Sequence, residues 1–171
     1  MDKKQKNALL RLTALLMLVP SMIIVPAMAT SPSDTSVGDR YAVITIKGEA
    51  KTKIQGQLIT APPSVELLVE VRETYQEWVL FKVNCGEIEV DGVTYQVVSG
   101  WWRGSYNRAT HVGIYEGWAR DGNGNNVYFI LRTLDLRQTQ EGCFMGIGGT
   151  FRDPNGNYWS LNLLTYRFEV D

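Results

Sequence analysis

Glu87-Ile88-Glu89-Val90-Asp91-Gly92-Val93-Thr94-Tyr95-Gln96 is the stretch that decides the fold. Two short runs alternate in polarity, as half-buried strands do. Asp91-Gly92 between them suits a two-residue primed turn, whose central residues both need positive φ. That turn pairs Val90 with Val93 and Ile88 with Tyr95, so Ile88, Val90, Val93, Tyr95 and Val97 share one face. Upstream, Val79, Phe81, Val83 and Cys85 carry the apolar side on odd positions. The parity therefore flips at Gly86, where a β-bulge is expected because glycine tolerates one.

Outward from this hairpin the chain keeps the same character. β-branched and aromatic runs separated by Gly, Asn, Asp and Pro clusters predict strands over 40–48, 53–60, 65–73, 77–90, 93–103, 111–120, 127–135, 143–152 and 158–170. No amphipathic helix interrupts them. In the third run Val65, Leu67, Val69 and Val71 face one way and Glu66, Glu70 and Arg72 the other, with Leu68 the exception. One side of that strand is core and the other is wet.

Gly117-Trp118-Ala119-Arg120-Asp121-Gly122-Asn123-Gly124-Asn125 is echoed by Gly149-Thr150-Phe151-Arg152-Asp153-Pro154-Asn155-Gly156-Asn157 at a constant offset of 32, and Thr133 by Thr165. Two copies are too few for a solenoid. They describe successive hairpins with shared tip chemistry, hence a meander whose sequence neighbours are spatial neighbours. Such a meander hides its edges by closing or folding over. The fold class is therefore all-β: a single-domain antiparallel meander closing into a barrel of about eight or nine strands, with a β-sandwich as the alternative. Short turns favour the barrel. Several later strands are apolar on both faces, with Val127, Phe129 and Leu131 against Tyr128, Ile130 and Leu134. Oligomerisation through the outer wall would produce that pattern.

At the N-terminus, Lys3, Lys4, Lys6 and Arg11 lead into an apolar run ending in Ala27-Met28-Ala29. This is the layout of an export signal. Residues 1–29 are expected to be a signal peptide cleaved after Ala29, residues 30–38 a flexible leader rich in Ser, Thr, Asp and Pro, and residues 39–171 the all-β domain. Pro20 and Pro26 make the run a poor permanent anchor, so no stable membrane insertion is expected after cleavage. The expected location is extracytoplasmic, secreted or associated with the cell envelope. The 171 residues carry a net charge of −1, and removal of four basic residues and one acidic residue with the signal makes it −4. Without a basic patch, nucleic acid is not an expected partner.

Cys85 and Cys143 are the only cysteines. In an exported chain an even number reads first as a bridge, and strand parity turns both inward, Cys143 sharing a face with Met145 and Ile147. A disulfide between them is expected. A cysteine metal pair lacks partners because His111 is the sole histidine, so no metal or cofactor is assigned. Asp121, Asn123, Asn125 and Asp153, Asn155, Asn157 resemble the start of a calcium loop, but Arg132 and Leu164 stand where a bidentate carboxylate belongs. Turn chemistry explains them better.

Trp101, Trp102, Tyr106, His111, Tyr115 and Trp118 form the candidate ligand-binding set, since rings beside hydrogen-bonding groups suit a sugar or a flat apolar ligand. The competing reading has these rings filling a small barrel. No nucleophile elbow or phosphate loop is present, and Gly142, Gly146, Gly148 and Gly149 mark a bend or close strand crossing. The leading expectation is an exported, non-catalytic barrel binding a small molecule, a carbohydrate or a partner surface. A barrel enzyme, an isomerase or hydrolase using His111, Glu116 or Asp135 at a barrel mouth, is the alternative. A self-associating cell-surface protein is the third.

Overall fold

The computed structural model describes residues 35–100 and 102–170. The signal segment and Trp101 lie outside the described residues. Ten strands follow one another: β1 (Arg40–Ile54), β2 (Gln57–Ala61), β3 (Pro63–Thr74), β4 (Trp78–Val90), β5 (Val93–Val97), β6 (Arg103–Asn107), β7 (Val112–Arg120), β8 (Asn126–Gln138), β9 (Gly142–Arg152) and β10 (Tyr158–Val170). No helix occurs among the described residues.

Every sheet pairing is antiparallel, and β10 pairs with β1 over Arg40–Thr52, closing the sheet on itself. The wall is a closed antiparallel barrel of eight strands with two extra strands. β5 and β6 share one place between β4 and β7. β2 and β3 pair with successive parts of β1. Closure leaves β2 as a strand that pairs along its whole length with β1 alone. The sequence-predicted break after residue 48 is absent. β1 runs on to Ile54 and turns at Gln55-Gly56, whose φ values are 49° and 87°.

The Asp91-Gly92 hairpin has the expected register, Ile88 opposite Tyr95 and Val90 opposite Val93, with positive φ at both turn residues. The parity flip upstream falls earlier than Gly86. Leu68 pairs with Cys85 and Val69 with Val83, leaving Asn84 as the extra residue. Gly86 itself is required by close approach, since at φ 154° a Cβ would lie 2.2 Å from the Glu66 carbonyl oxygen.

This bulge overturns the expected Cys85–Cys143 disulfide. Cys85 is exposed, Cys143 is buried, and both are free thiols. With the extra residue placed before Cys85 rather than after it, the two sulfurs end on opposite sides of the wall.

Inward-facing positions fill the barrel. Val43, Val65, Val69, Val71, Val79, Val83, Ile88, Leu131, Met145, Ile147 and Leu161 are fully buried. Toward the end ringed by the hairpin tips at 55–56, 91–92, 121–125 and 153–157, Phe129 stacks on Phe151 with ring centroids 4.4 Å apart, and Trp102 and Trp159 extend the stack. Tyr95 meets Phe129 and Phe151 edge-on at 5.4 and 5.6 Å. Each buried ring of this kind stabilises the fold by about 2 kcal/mol through removal of apolar surface from water.

The two echoed tips have the same construction. Asp121 Oδ1 accepts from the Asn123 and Asn125 amides, and Asp153 Oδ1 accepts from the Asn157 amide. The Asn125 and Asn157 side-chain amides donate to the other carboxylate oxygens, at 2.9 Å each. These hydrogen bonds to the ionised form hold both carboxyls below the usual Asp range, the Asn125 side chain being the largest cause for Asp121. For Asp153 burial opposes the shift, and the bonds from Asn157 and Trp159 outweigh it.

Candidate functional site

At the opposite end the strand parity that buries Leu161 and Leu163 continues through Thr165 to Arg167, and the one that buries Phe129 and Leu131 continues through Thr133 to Asp135. Two charges are thereby delivered inside a barrel mouth. Arg167 Nη2 lies 3.5 Å from Asp135 Oδ2, with the side chains 8% and 10% exposed. Tyr106, the inward residue near the end of β6, donates from its hydroxyl to Asp135 Oδ2 at 2.7 Å. The guanidinium sits between two rings, 5.5 Å from Tyr106 and 5.7 Å from Tyr41. Those cation–π contacts fix a side chain that would otherwise be mobile.

His111 joins from the turn between β6 and β7. Asn107 Oδ1 accepts from the Thr110 amide and hydroxyl, and the Asp135 amide donates to the His111 carbonyl at 3.0 Å. The turn is thus tied to β8, with His111 at φ 58°. Its Nδ1 is 3.0 Å from the Tyr106 hydroxyl oxygen. Since that hydroxyl gives its proton to Asp135, the consistent tautomer carries hydrogen on Nδ1 and donates to the phenol oxygen.

Burial, then the bond to Asp135, pushes the Tyr106 hydroxyl well above its ordinary pKa. Tyr106 is therefore a firm donor at neutral pH. Burial, then the Asp135 charge, pushes the Cys143 thiol up to about 11, so it stands beside the carboxylate as a neutral, unreactive group. Tyr115, fully inside, is raised by burial and lies close to Arg167.

Among the described residues, the buried side-chain polar atoms without a hydrogen-bond partner are Asp135 Oδ1 and Arg108 Nε. The first is an acceptor at this mouth, and the second is a donor on a residue of the turn between β6 and β7. Leaving a buried polar group unpaired costs about 1–3 kcal/mol, more when it is charged. The barrel keeps both.

The aromatic set proposed from sequence does not converge. Tyr106 and His111 meet at the mouth; Tyr115 faces the interior, and Trp102 is stacked on Phe129 with its indole N–H donated to the Trp118 carbonyl at 2.5 Å. Trp118 faces outward, 40% exposed, and Glu116 is on the outer wall paired with Arg103 at 2.7 Å. Of the residues named for a catalytic reading, His111 and Asp135 come together and Glu116 does not. Arg167 and Tyr41 were missed. A signal for Arg167 existed: extending the 32-residue echo two positions past Thr133 and Thr165 aligns Asp135 with Arg167, opposite charges at equivalent inward sites.

A shallow groove of about 350 Å³ lies elsewhere, on the outer wall over β7 to β10, lined by Val112, Arg132, Leu134, Gly146 and Gly148 among others. It has one charged side chain and no cluster of polar groups, so the mouth is the better site. Comparison with protein-family models, curated proteins and solved structures finds no match for this chain.

Proposed function

We propose that this chain is an exported β-barrel that binds a small sugar-like molecule at its polar mouth without transforming it. The observation that carries the reading is the buried acceptor Asp135 Oδ1, which has no hydrogen-bond partner, on the carboxylate that meets Arg167 and Tyr106. A polyhydroxylated molecule offers both a hydroxyl proton for the carboxylate and a hydroxyl oxygen for the guanidinium. The Tyr41 ring, half-buried at the same end, supplies an apolar face beside them. The stacked rings that fill the opposite half argue for a ligand at the mouth rather than deep in the barrel. Export rests on the basic and apolar N-terminal pattern ending at Ala29, and an extracytoplasmic location follows from it.

Calorimetric titration of the protein with glucose, galactose and mannose tests this. We expect one of them to bind, and Asp135→Asn to weaken it by about tenfold to a hundredfold, the value of a hydrogen bond to a charged group. Failure of all three to bind, or binding indifferent to the substitution, overturns the reading.

The chain of hydrogen bonds from His111 through Tyr106 to Asp135 favours a second reading, a barrel enzyme that moves a proton at this mouth. Turnover of a bound sugar that disappears in His111→Ala, with affinity unchanged, would establish catalysis instead.

A further inference from the structure

The outer wall near the hairpin tips carries a row of side chains that the mouth does not use. Trp118 on β7 pairs with Tyr128 on β8, and Tyr158 on β10 pairs with Arg152 on β9. The Phe129–Phe151 pairing sets Tyr128 beside Arg152. Alternation with the buried Ala119, Val127, Phe129, Phe151 and Trp159 turns all four outward. Trp118 and Tyr128 have ring centroids 5.1 Å apart, and the Arg152 guanidinium lies 5.3 Å from the centroid of the Tyr158 ring, which is 71% exposed. Four adjacent strands span about 14 Å from first ring to last.

Polar groups flank the row on both sides. Glu116 and Arg103 form a two-point contact at 2.7 and 2.8 Å on one side, and the Tyr128 hydroxyl interacts with that Glu116. Arg120, held by Asn126 at 3.0 Å, lies on the other side. Arg152 is anchored by donating Nε to the Gly156 carbonyl at 3.1 Å. Three guanidiniums thus line the row, one of them paired with Glu116, while Glu87 is held by Gln96 opposite Arg120 and the ionised tip carboxylates Asp121 and Asp153 lie near the buried Tyr95.

We propose that this row is a binding strip for an extended acidic glycan. Exposed rings in a line offer faces to the C–H surfaces of successive sugars, fixed guanidiniums match carboxylates bidentately, and the length exceeds what one sugar ring can cover. Arg120 and Arg152, which form no ion pair among the described residues, favour an acidic chain over a neutral one.

Calorimetric titration at low salt with tetragalacturonate, with the neutral cellotetraose and with anionic phospholipid vesicles tests the assignment. Tetragalacturonate should bind, should weaken as salt is raised, and should lose about tenfold in affinity in Trp118→Ala and again in Tyr158→Ala, the worth of one aromatic contact. Arg152→Gln should weaken tetragalacturonate, and Asp135→Asn should leave it unchanged, which separates this strip from the mouth. Tyr158 is exposed enough that its truncation leaves the fold intact, so that variant decides if Trp118→Ala fails to fold. Equal binding of cellotetraose, binding to vesicles alone, absence of binding, or indifference to Tyr158→Ala overturns the proposal.

Discussion

At the end ringed by the Asp91-Gly92 turn and the two echoed tips, the barrel interior holds Phe129, Phe151, Trp159 and Tyr95, whereas at the far end equivalent inward positions hold Arg167, Asp135 and Tyr106. The first set is apolar apart from two handles, and the handle of Trp159 is satisfied by the Asp153 carboxylate at 3.1 Å. The second set contains an ion pair largely removed from water and an oxygen that accepts nothing. A fold selected for stability alone would have no use for the second arrangement, because a buried ion pair rarely outperforms well-packed apolar side chains. One end is packed with stacked rings and the other holds a buried charged pair.

The sharpest way to break this contrast is to remove its apolar half. Phe129→Ala should destabilise the protein by about 3–5 kcal/mol in denaturant unfolding, since Phe129 is fully buried and touches three other rings. A loss below about 1 kcal/mol would mean that the stack is not the keystone of that end.

At the polar end the expected pattern is different. Arg167→Met alone should cost about 3 kcal/mol because it strands the Asp135 charge, while the double change Asp135→Leu with Arg167→Met should restore or exceed the parent stability and abolish sugar binding. If the double variant is as unstable as the single one, the pair is structural after all and the contrast between the ends collapses.

The smallest effect concerns the tips. Asp121 and Asp153 have folded-state pKa values below their unfolded ones. Their stabilisation is therefore complete above the unfolded carboxyl pKa of about 4 and is lost as pH falls through the lower folded values. Unfolding midpoints of Asp121→Asn with Asp153→Asn should lie below the parent at neutral pH and converge with it in acid. A constant difference across pH would show that the turns do not depend on carboxylate charge.

Much of the fold could be read from sequence because its signals are local. Asp91-Gly92 fixes a register by turn geometry, and the 32-residue echo makes neighbours of β7 to β10, whereas closure itself rests on the β10–β1 pairing. Bulge placement is not local. Whether the extra residue is Asn84 or Gly86 depends on how β4 meets Leu68 on β3, and that decided the side on which Cys85 lies. The candidate site was half legible for a related reason. Parity alone separates Tyr115 from Trp118, three residues apart on β7 and on opposite faces, so these two rings belong to no common pocket. Arg167 was hidden in a long strand of otherwise ordinary alternation, and its partner lies 32 residues away.

The split between β2 and β3 has one last consequence. β2, Gln57–Ala61, has no charged side chain, exposes Leu58, and is bordered on one side only by β1. A foreign segment seeking to extend the sheet would begin here. Its progress is short: Pro62 and Pro63 follow at once, and neither has an amide hydrogen to offer. The imino acids act as a stopper on runaway polymerisation, so replacing both with alanine should turn a tolerated seam into a growth point for fibres.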